Sequence, residues 1–326
     1  MSDNTLELRV ALVTDEAEAV RSYELRAASG ESGESRGALP AFTAGAHIDL
    51  YLPNGLVRSY SLCNSPAERD RYLIAVQKDA ASRGGSRHVF DEVRAGDRLR
   101  CGAPRNHFPL DEEAAHTVLI AGGIGITPLR SMIARLEALG RSWELHYCAR
   151  TRERAAFFEE LSRPPSGRGQ SVHFNFDQEP GGRMLDLASV IAAARPGSHF
   201  YCCGPLPMLA AFESATAHLP REQVHLEYFA AKEDAAREGN FEVELARSSR
   251  VLQVRAGQSI LDVVLEAGID VAHACAEGVC GSCETAVLAG TPDHRDQVLT
   301  DEERRCGNTM MICCSGALGA RLVLDL

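Results

Sequence analysis

Three cysteines within nine residues, Cys275, Cys280 and Cys283, and a fourth far downstream at Cys313 restrict this chain more than any other feature. Their order reads C-x4-C-x2-C-x29-C, the spacing with which plant-type domains present four thiolates to a [2Fe-2S] cluster. Such a loop has to bend its backbone around inorganic sulfide. Gly278, Gly281 and Ser282 keep that approach open and leave N–H groups to point at sulfur. Zinc is the other ion that four thiols hold, but its usual pattern pairs C-x2-C with a second C-x2-C or with histidines. Cys306 and Cys314 are the alternatives for the fourth position. Cys314 stands one residue off and points the opposite way if the segment is extended.

The chain has 326 residues, enough for two or three domains, with ordinary globular proportions of 45% hydrophobic and 24% charged residues. Its amino terminus lacks the basic and apolar regions of a signal peptide, and no apolar run approaches the ~20 residues of a membrane helix, so a cytoplasmic location is expected. Eleven cysteines in a chain of this size read as reduced thiols with a few cluster ligands. The seven outside the ligand set are expected mostly as buried small hydrophobes. A net charge of −11 argues against nucleic acid and anionic membranes as partners and allows a basic protein surface as one.

Residues 1–112 alternate apolar and polar side chains over 6–14, 20–26, 47–52, 59–62, 71–77 and 97–101, which predicts short half-buried strands closing into an antiparallel barrel. The Gly/Ser-rich stretch 29–35 reads as a surface loop. In Arg58-Ser59-Tyr60-Ser61-Leu62, alternation places Arg58, Tyr60 and Leu62 on one face and the two serines on the other. A permanent cation, a flat ring and small hydroxyls suit a planar ligand that carries a phosphate, although a solvated arginine beside a rim aromatic is the commoner meaning of such a strand. Arg83-Gly84-Gly85-Ser86 precedes a short amphipathic helix, 87–93, and offers backbone N–H groups at a positive dipole end, or a plain glycine turn capped by Ser86.

Residues 113–230 open with an apolar strand, 116–121, then Gly122-Gly123-Ile124-Gly125-Ile126-Thr127-Pro128 and a helix over 129–139. Strand, glycine turn and helix are the first unit of a doubly wound nucleotide-binding fold. The glycines admit a pyrophosphate to the backbone, Thr127 can cap or donate, and Pro128 suits the first helical position. A second strand, 143–148, ends near Arg150, where such folds read the adenosine ribose. Helices over 155–161 and 185–194 and strands over 171–176, 199–202 and 223–229 complete the unit. Cys203-Gly204-Pro205 directly follows one of these strands as a second accessible turn, or as a simple corner around a buried thiol. Residues 231–238 read as a polar linker. From 239 to 326, strands over 241–245, 251–254, 285–288 and 322–325 and a helix over 260–267 surround the cysteine loop in the order of a β-grasp ferredoxin domain. This part carries seven arginines and no lysine against thirteen carboxylates, a solvated face that could steer a basic docking patch.

The Arg58-Ser59-Tyr60-Ser61 motif, the Gly84-Gly85-Ser86 element and the closing run Ala103-Pro104-Arg105-Asn106-His107-Phe108 resemble the flavin domain of the ferredoxin-reductase superfamily. The resemblance is narrower to the phthalate dioxygenase reductase and vanillate demethylase reductase group, and it covers essentially the whole chain. It implies FMN rather than FAD, with Arg58 and Ser86 at its phosphate and Tyr60 and Ser61 against the ring. It implies NADH on the second domain, with Cys203 beside the nicotinamide, Glu227 as its polar neighbour and Phe229 near the flavin. His107 and His88 receive no role. The implied activity is a reductase that passes electrons from NADH through FMN to the cluster at Cys275, Cys280, Cys283 and Cys313. The expected acceptor is a separate Rieske-type oxygenase or O-demethylase, since this chain has no C-x-H…C-x2-H pattern of its own. A cytochrome P450 acceptor is the first alternative, and a non-catalytic, metal-stabilised binding module is one from another class. A monomer is expected. No general base or nucleophile is required beyond residues that position cofactors.

Overall fold

The computed structural model of the chain describes residues 5–28, 38–79, 84–165, 167–232 and 234–326. The stretch 29–35 and Arg83, both singled out above, fall outside the described residues. The chain divides into two compact units, Met1–Phe229 and Ala230–Leu326.

The first unit begins with β1 (Thr5–Ala17), β2 (Val20–Ala27), β3 (His47–Tyr51), β4 (Val57–Ser61), β5 (Tyr72–Gln77) and β6 (Arg98–Gly102), all antiparallel in the order β4-β3-β6-β1-β2-β5. Alternation sends Leu8, Val10, Tyr23, Leu25, Ile48 and Leu50 into one buried cluster. The sheet closes where Leu62 bridges Ile74 and the Cys63 N–H donates to the Leu73 carbonyl at 2.7 Å, tying the end of β4 to β5. Helix α1 (Gly85–Glu92) packs on this barrel through Val89, whose carbonyl accepts the buried Tyr23 hydroxyl at 3.0 Å.

A parallel sheet follows: β7 (Thr117–Gly122), β8 (Trp143–Ala149), β9 (Gln170–Phe176), β10 (His199–Cys203) and β11 (Val224–Glu227), in the order β11-β10-β7-β8-β9. Every residue of β7 is buried, as a central strand covered on both faces requires. Leu119, Leu145 and Tyr147 pack with α2 (Ile126–Ala138) and α3 (Phe158–Leu161) on one face. Val118, Ile120, Phe200 and Cys202 pack with α4 (Leu187–Ala193) and α5 (Leu206–Thr216) on the other. Strand order reverses between β7 and β10, so the switch point of the sheet lies beside their carboxyl ends. Barrel and sheet belong to one unit because Val20, Ala75 and Phe108 share a core cluster with Leu129 and Met132 of α2. Arg130 adds a polar tie, donating to the Cys63 carbonyl at 2.7 Å and to both oxygens of Glu160.

Two helix expectations change. The helix expected over 155–161 is reduced to Phe158–Leu161, because Phe157 takes a left-handed backbone (φ 59°) and Ala155 and Ala156 are buried outside it. Helix α2 starts at Ile126, so Pro128 is its third residue rather than its first. The position is still harmless, since a first-turn N–H has no partner within the helix.

The second unit contains β12 (Phe241–Leu245), β13 (Arg250–Val254), β14 (Glu284–Ala289), β15 (Pro292–Asp293), β16 (Thr309–Met311), β17 (Gly316–Ala317) and β18 (Arg321–Leu324). Five of them form a sheet ordered β13-β12-β18-β14-β16, with β12 and β18 parallel, and β15 pairs with β17. Helices α6 (Ile260–Glu266) and α7 (Asp301–Cys306) each begin with a capping box, Ser259 with Asp262 and Thr300 with Glu303. The sequence reading missed α7 and β16. The expected linker is only partly one: Ala235 packs on the core of this unit, and the Ala236 N–H donates to the Cys314 carbonyl at 2.7 Å.

Candidate functional site

The barrel brings Arg58 and the start of α1 together. Gly84 is the N-cap of α1 with φ 101°, a conformation open to glycine, and among the described residues no side chain caps the helix, Ser86 included. Gly85 is buried beneath Arg58: a Cβ there would stand 2.4 Å from Arg58 Nε and 2.6 Å from Arg58 Cγ. Arg58 thus lies with its Nε and stem against the first residue of this eight-residue helix, while its Nη1 donates to the Val57 carbonyl at 2.8 Å. The other residues of β4 divide as alternation predicts. Tyr60 packs against the barrel core with its hydroxyl buried and without a hydrogen-bond partner among the described residues. Ser61 is buried, and Ser59 Oγ donates to Asp49 Oδ1 at 2.7 Å. Asp49 also accepts from Arg105 Nη2 at 2.7 Å, a network that the sequence reading missed. Its signal was an aspartate at an otherwise apolar strand, His47-Ile48-Asp49-Leu50. The His107 ring lies 5.6 Å from that of His47, tilted by 31°.

At the switch point two glycine turns are packed into one another. A Cβ on Gly125 would fall 2.1 Å from the Cys203 carbonyl oxygen, and one on Gly122 would fall 2.6 Å from Pro205 Cδ. Gly204 is close as well, with its Cβ position 2.8 Å from Met208 Sδ and 3.1 Å from Gly122 Cα. Gly123 has open space in front of it and φ 54°. These turns present bare backbone at the ends of β7 and β10, where open α/β sheets bind ligands. Thr127 does not cap α2; its hydroxyl donates to the Ile124 carbonyl at 2.9 Å and so firms the turn. Cys203 and Glu227 are register partners on β10 and β11. Burial, and then the facing Glu227, raises the Cys203 thiol well above its ordinary range, so it is a packing group rather than a thiolate nucleophile. Glu227 Oε2 is buried without a hydrogen bond among the described residues, and burial raises this carboxyl to about 8. Arg150 is exposed just past the end of β8, and Phe229 is 41% exposed beyond β11.

In the second unit all four cysteines of the spacing motif are buried, Cys275 at 8%, Cys280 and Cys283 at 4% and Cys313 at 2%. The Cys275 thiol interacts with the side chains of both Cys280 and Cys313, which joins the near and far parts of the motif. Backbone donors converge on sulfur: Cys275 N–H on Cys280 Sγ at 3.4 Å and Glu277 N–H on Cys275 Sγ at 3.3 Å, with Ser282 Oγ 3.1 Å from Cys280 Sγ. The loop bends through left-handed residues at Ala276, Gly278 and Gly281. A buried set of thiols fed by N–H donors on a small-residue loop fits a [2Fe-2S] cluster. Cys314 needs a different account from the one alternation offered. Residues 312–314 form a turn after β16, with the Cys314 N–H donating to Met311 O, so the extended-segment premise does not hold. Its thiol instead lies over Gly278, where a Cβ would come within 2.4 Å of Cys314 Sγ. The remaining cysteines are mostly buried, as expected; Cys148 is half-buried and Cys306 is exposed.

Residues 243–318 match the family of 2Fe-2S iron-sulfur cluster binding domains, and residues 119–214 match the oxidoreductase NAD-binding domain. The chain is 54% identical over 319 residues to phenoxybenzoate dioxygenase subunit beta of Ectopseudomonas oleovorans, covering 98% of this chain and 97% of that protein. Among solved structures it is similar to phthalate dioxygenase reductase, described as a modular structure for electron transfer from pyridine nucleotides to [2Fe-2S]. That match has 42% identity and a TM-score of 0.73 and covers 99% of this chain and 98% of the other. It is also similar to part of an intact type IV self-sufficient cytochrome P450 monooxygenase, with 40% identity and a TM-score of 0.86, covering 99% of this chain and 41% of that one.

Proposed function

The chain belongs to the phthalate dioxygenase reductase family, and from that premise we propose that it is the NADH-dependent reductase component of an aromatic oxygenase or O-demethylase system. Its cofactors are a nicotinamide nucleotide, FMN and a [2Fe-2S] cluster. When bound, these groups supply a two-electron donor, a carrier able to take electrons in pairs and release them singly, and a one-electron exit. The observation that carries the reading is the buried thiol set of the second unit in one chain with the interlocked glycine turns of the first.

The work of the protein is placement. Arg58 with the amide end of α1, at Gly84, Gly85 and Ser86, would hold the FMN phosphate, and Tyr60 and Ser61 would line its ring. Ser59 serves this wall through Asp49, which its hydroxyl engages. Gly122, Gly123, Gly125, Thr127, Pro128, Gly204 and Pro205 would let the nicotinamide nucleotide lie against bare backbone. Cys203 would pack beside the reacting ring. Glu227, which keeps its proton up to about pH 8, would donate a hydrogen bond to a polar group there. Phe229 is exposed and free to cover a flat ligand. Arg150 would meet the adenosine ribose, and NADH is the proposed form. Cys275, Cys280, Cys283 and Cys313 would bind the iron, with the loop N–H groups holding the sulfur charge.

The acceptor in this reading is a separate oxygenase of the Rieske type. The fused architecture of the cytochrome P450 monooxygenase supports a P450 as the second choice. A monomer in the cytoplasm completes the proposal, and among the described residues no helix is long and apolar enough to cross a membrane. The test is flavin, iron and acid-labile sulfide analysis of the purified protein, joined to NADH-dependent reduction of cytochrome c and of reconstituted oxygenases. One FMN and one [2Fe-2S] per chain with NADH-bleachable visible bands are expected. A colourless zinc protein would sink the reading.

A further inference from the structure

On the face of the parallel sheet opposite α2, away from the glycine turns, three imidazoles gather around one carboxylate. Glu144 and His146 stand two residues apart on β8, and His173 is the register partner of His146 on the edge strand β9. One ligand atom from each of the three lies within 4.8 Å of the other two. The His146 and His173 rings stack at 4.9 Å, inclined by 20°. Glu144 Oε1 is 3.5 Å from His146 Nε2, and its other oxygen is 3.9 Å from Nε2 of the buried His116, which precedes β7.

We propose that Glu144, His146 and His173 form a zinc-binding site on the nucleotide-binding sheet, separate from the electron path. Zinc takes imidazole nitrogen at ~2.0–2.1 Å and carboxylate oxygen at ~2.0–2.2 Å, which sets neighbouring tetrahedral ligands ~3.3–3.5 Å apart. The Glu144–His146 separation already has that value, and the three ligand atoms lie within 4.8 Å of one another. A proton could bridge one imidazole to the carboxylate; a divalent ion satisfies all three donors at once. Hydroxyls hold the surrounding rings, Ser171 Oγ 3.1 Å from His173 Nε2 and Ser142 Oγ 2.8 Å from His116 Nδ1. The guanidinium of Arg195 reaches Ser142, on the His116 side. His173 is exposed, which gives the ion a way in. The donor set, two nitrogens and one oxygen with a fourth position open, is one that zinc accepts.

The holoprotein, flavin and cluster in place, is dialysed against zinc and its tightly held zinc is counted; thermal unfolding is followed with and without the ion. The native protein is expected to retain one zinc per chain and to unfold at a higher temperature when loaded. His173→Ala, at an exposed position, and Glu144→Gln should lose both effects while keeping visible spectra and NADH-dependent cytochrome c reduction, which report on folding. Cys306→Ser should keep both. The proposal is overturned if the native protein holds no stoichiometric zinc, if His173→Ala holds as much as native, or if Cys306→Ser abolishes the binding.

Discussion

Cys203 and Glu227 face each other across the parallel strands β10 and β11, beside the switch point of the sheet, a thiol and a carboxyl that burial keeps protonated near neutrality. Glu227 therefore behaves opposite to a surface glutamate. An unfolded chain releases this proton near the ordinary value of 4.5, whereas the folded chain keeps it to about 8. Stability should fall as pH rises across that window and level off above it, by roughly 3–5 kcal/mol in total. Glu227→Gln should flatten the slope of melting temperature against pH between these values. It should also slow flavin reduction by NADH about tenfold or more without loss of flavin or iron. An unchanged pH slope in the variant would contradict the buried carboxyl.

Gly125→Ala places a methyl 2.1 Å from the Cys203 carbonyl, a backbone atom that cannot swing aside. We expect a lower melting temperature, by the equivalent of about 1–3 kcal/mol, and a fall of at least tenfold in kcat/KM for NADH. Gly123→Ala, with open space ahead of it but φ 54°, should cost less stability. Steady-state kinetics and calorimetry on the two variants check the order.

Gly85→Ala meets the flexible Arg58 side chain instead, so the fold should survive while the guanidinium is displaced. Flavin retained through gel filtration should drop in Gly85→Ala and in Arg58→Ala, with Arg58→Lys intermediate because a point charge replaces a bidentate one. Full flavin occupancy in Arg58→Ala would remove Arg58 from the phosphate.

Cys313→Ser should abolish cluster-dependent reduction of cytochrome c and lower iron and sulfide content, while NADH still reduces the flavin. Cys314→Ser should keep the cluster, since that thiol packs over Gly278. The reverse result would exchange the two assignments.

Much of this was legible beforehand because it rests on period and spacing. Period-2 alternation found the strands of the barrel, and the cysteine spacing pointed to thiols that fold together across the second unit. What escaped depended on long-range contact. Asp49 joins Ser59 and Arg105 only once β3, β4 and the closing loop meet. The turn at 312–314 follows a strand of three residues, and helix α7 before that strand has only six, both too short to carry a periodic signal. The trio of Glu144, His146 and His173 exists only through the register of β8 with β9.

The interlocked turns at Gly122, Gly125 and Gly204 have a consequence for protein engineering. Neither turn can be redesigned alone, because each occupies the space into which the other would grow. On the proposed function, a campaign to switch nicotinamide preference has its freedom at the exposed loop after β8, where Arg150 faces solvent and Arg152 lies over the ring of Phe158 at 4.9 Å. Variation accepted there leaves the shared scaffold of the two turns untouched.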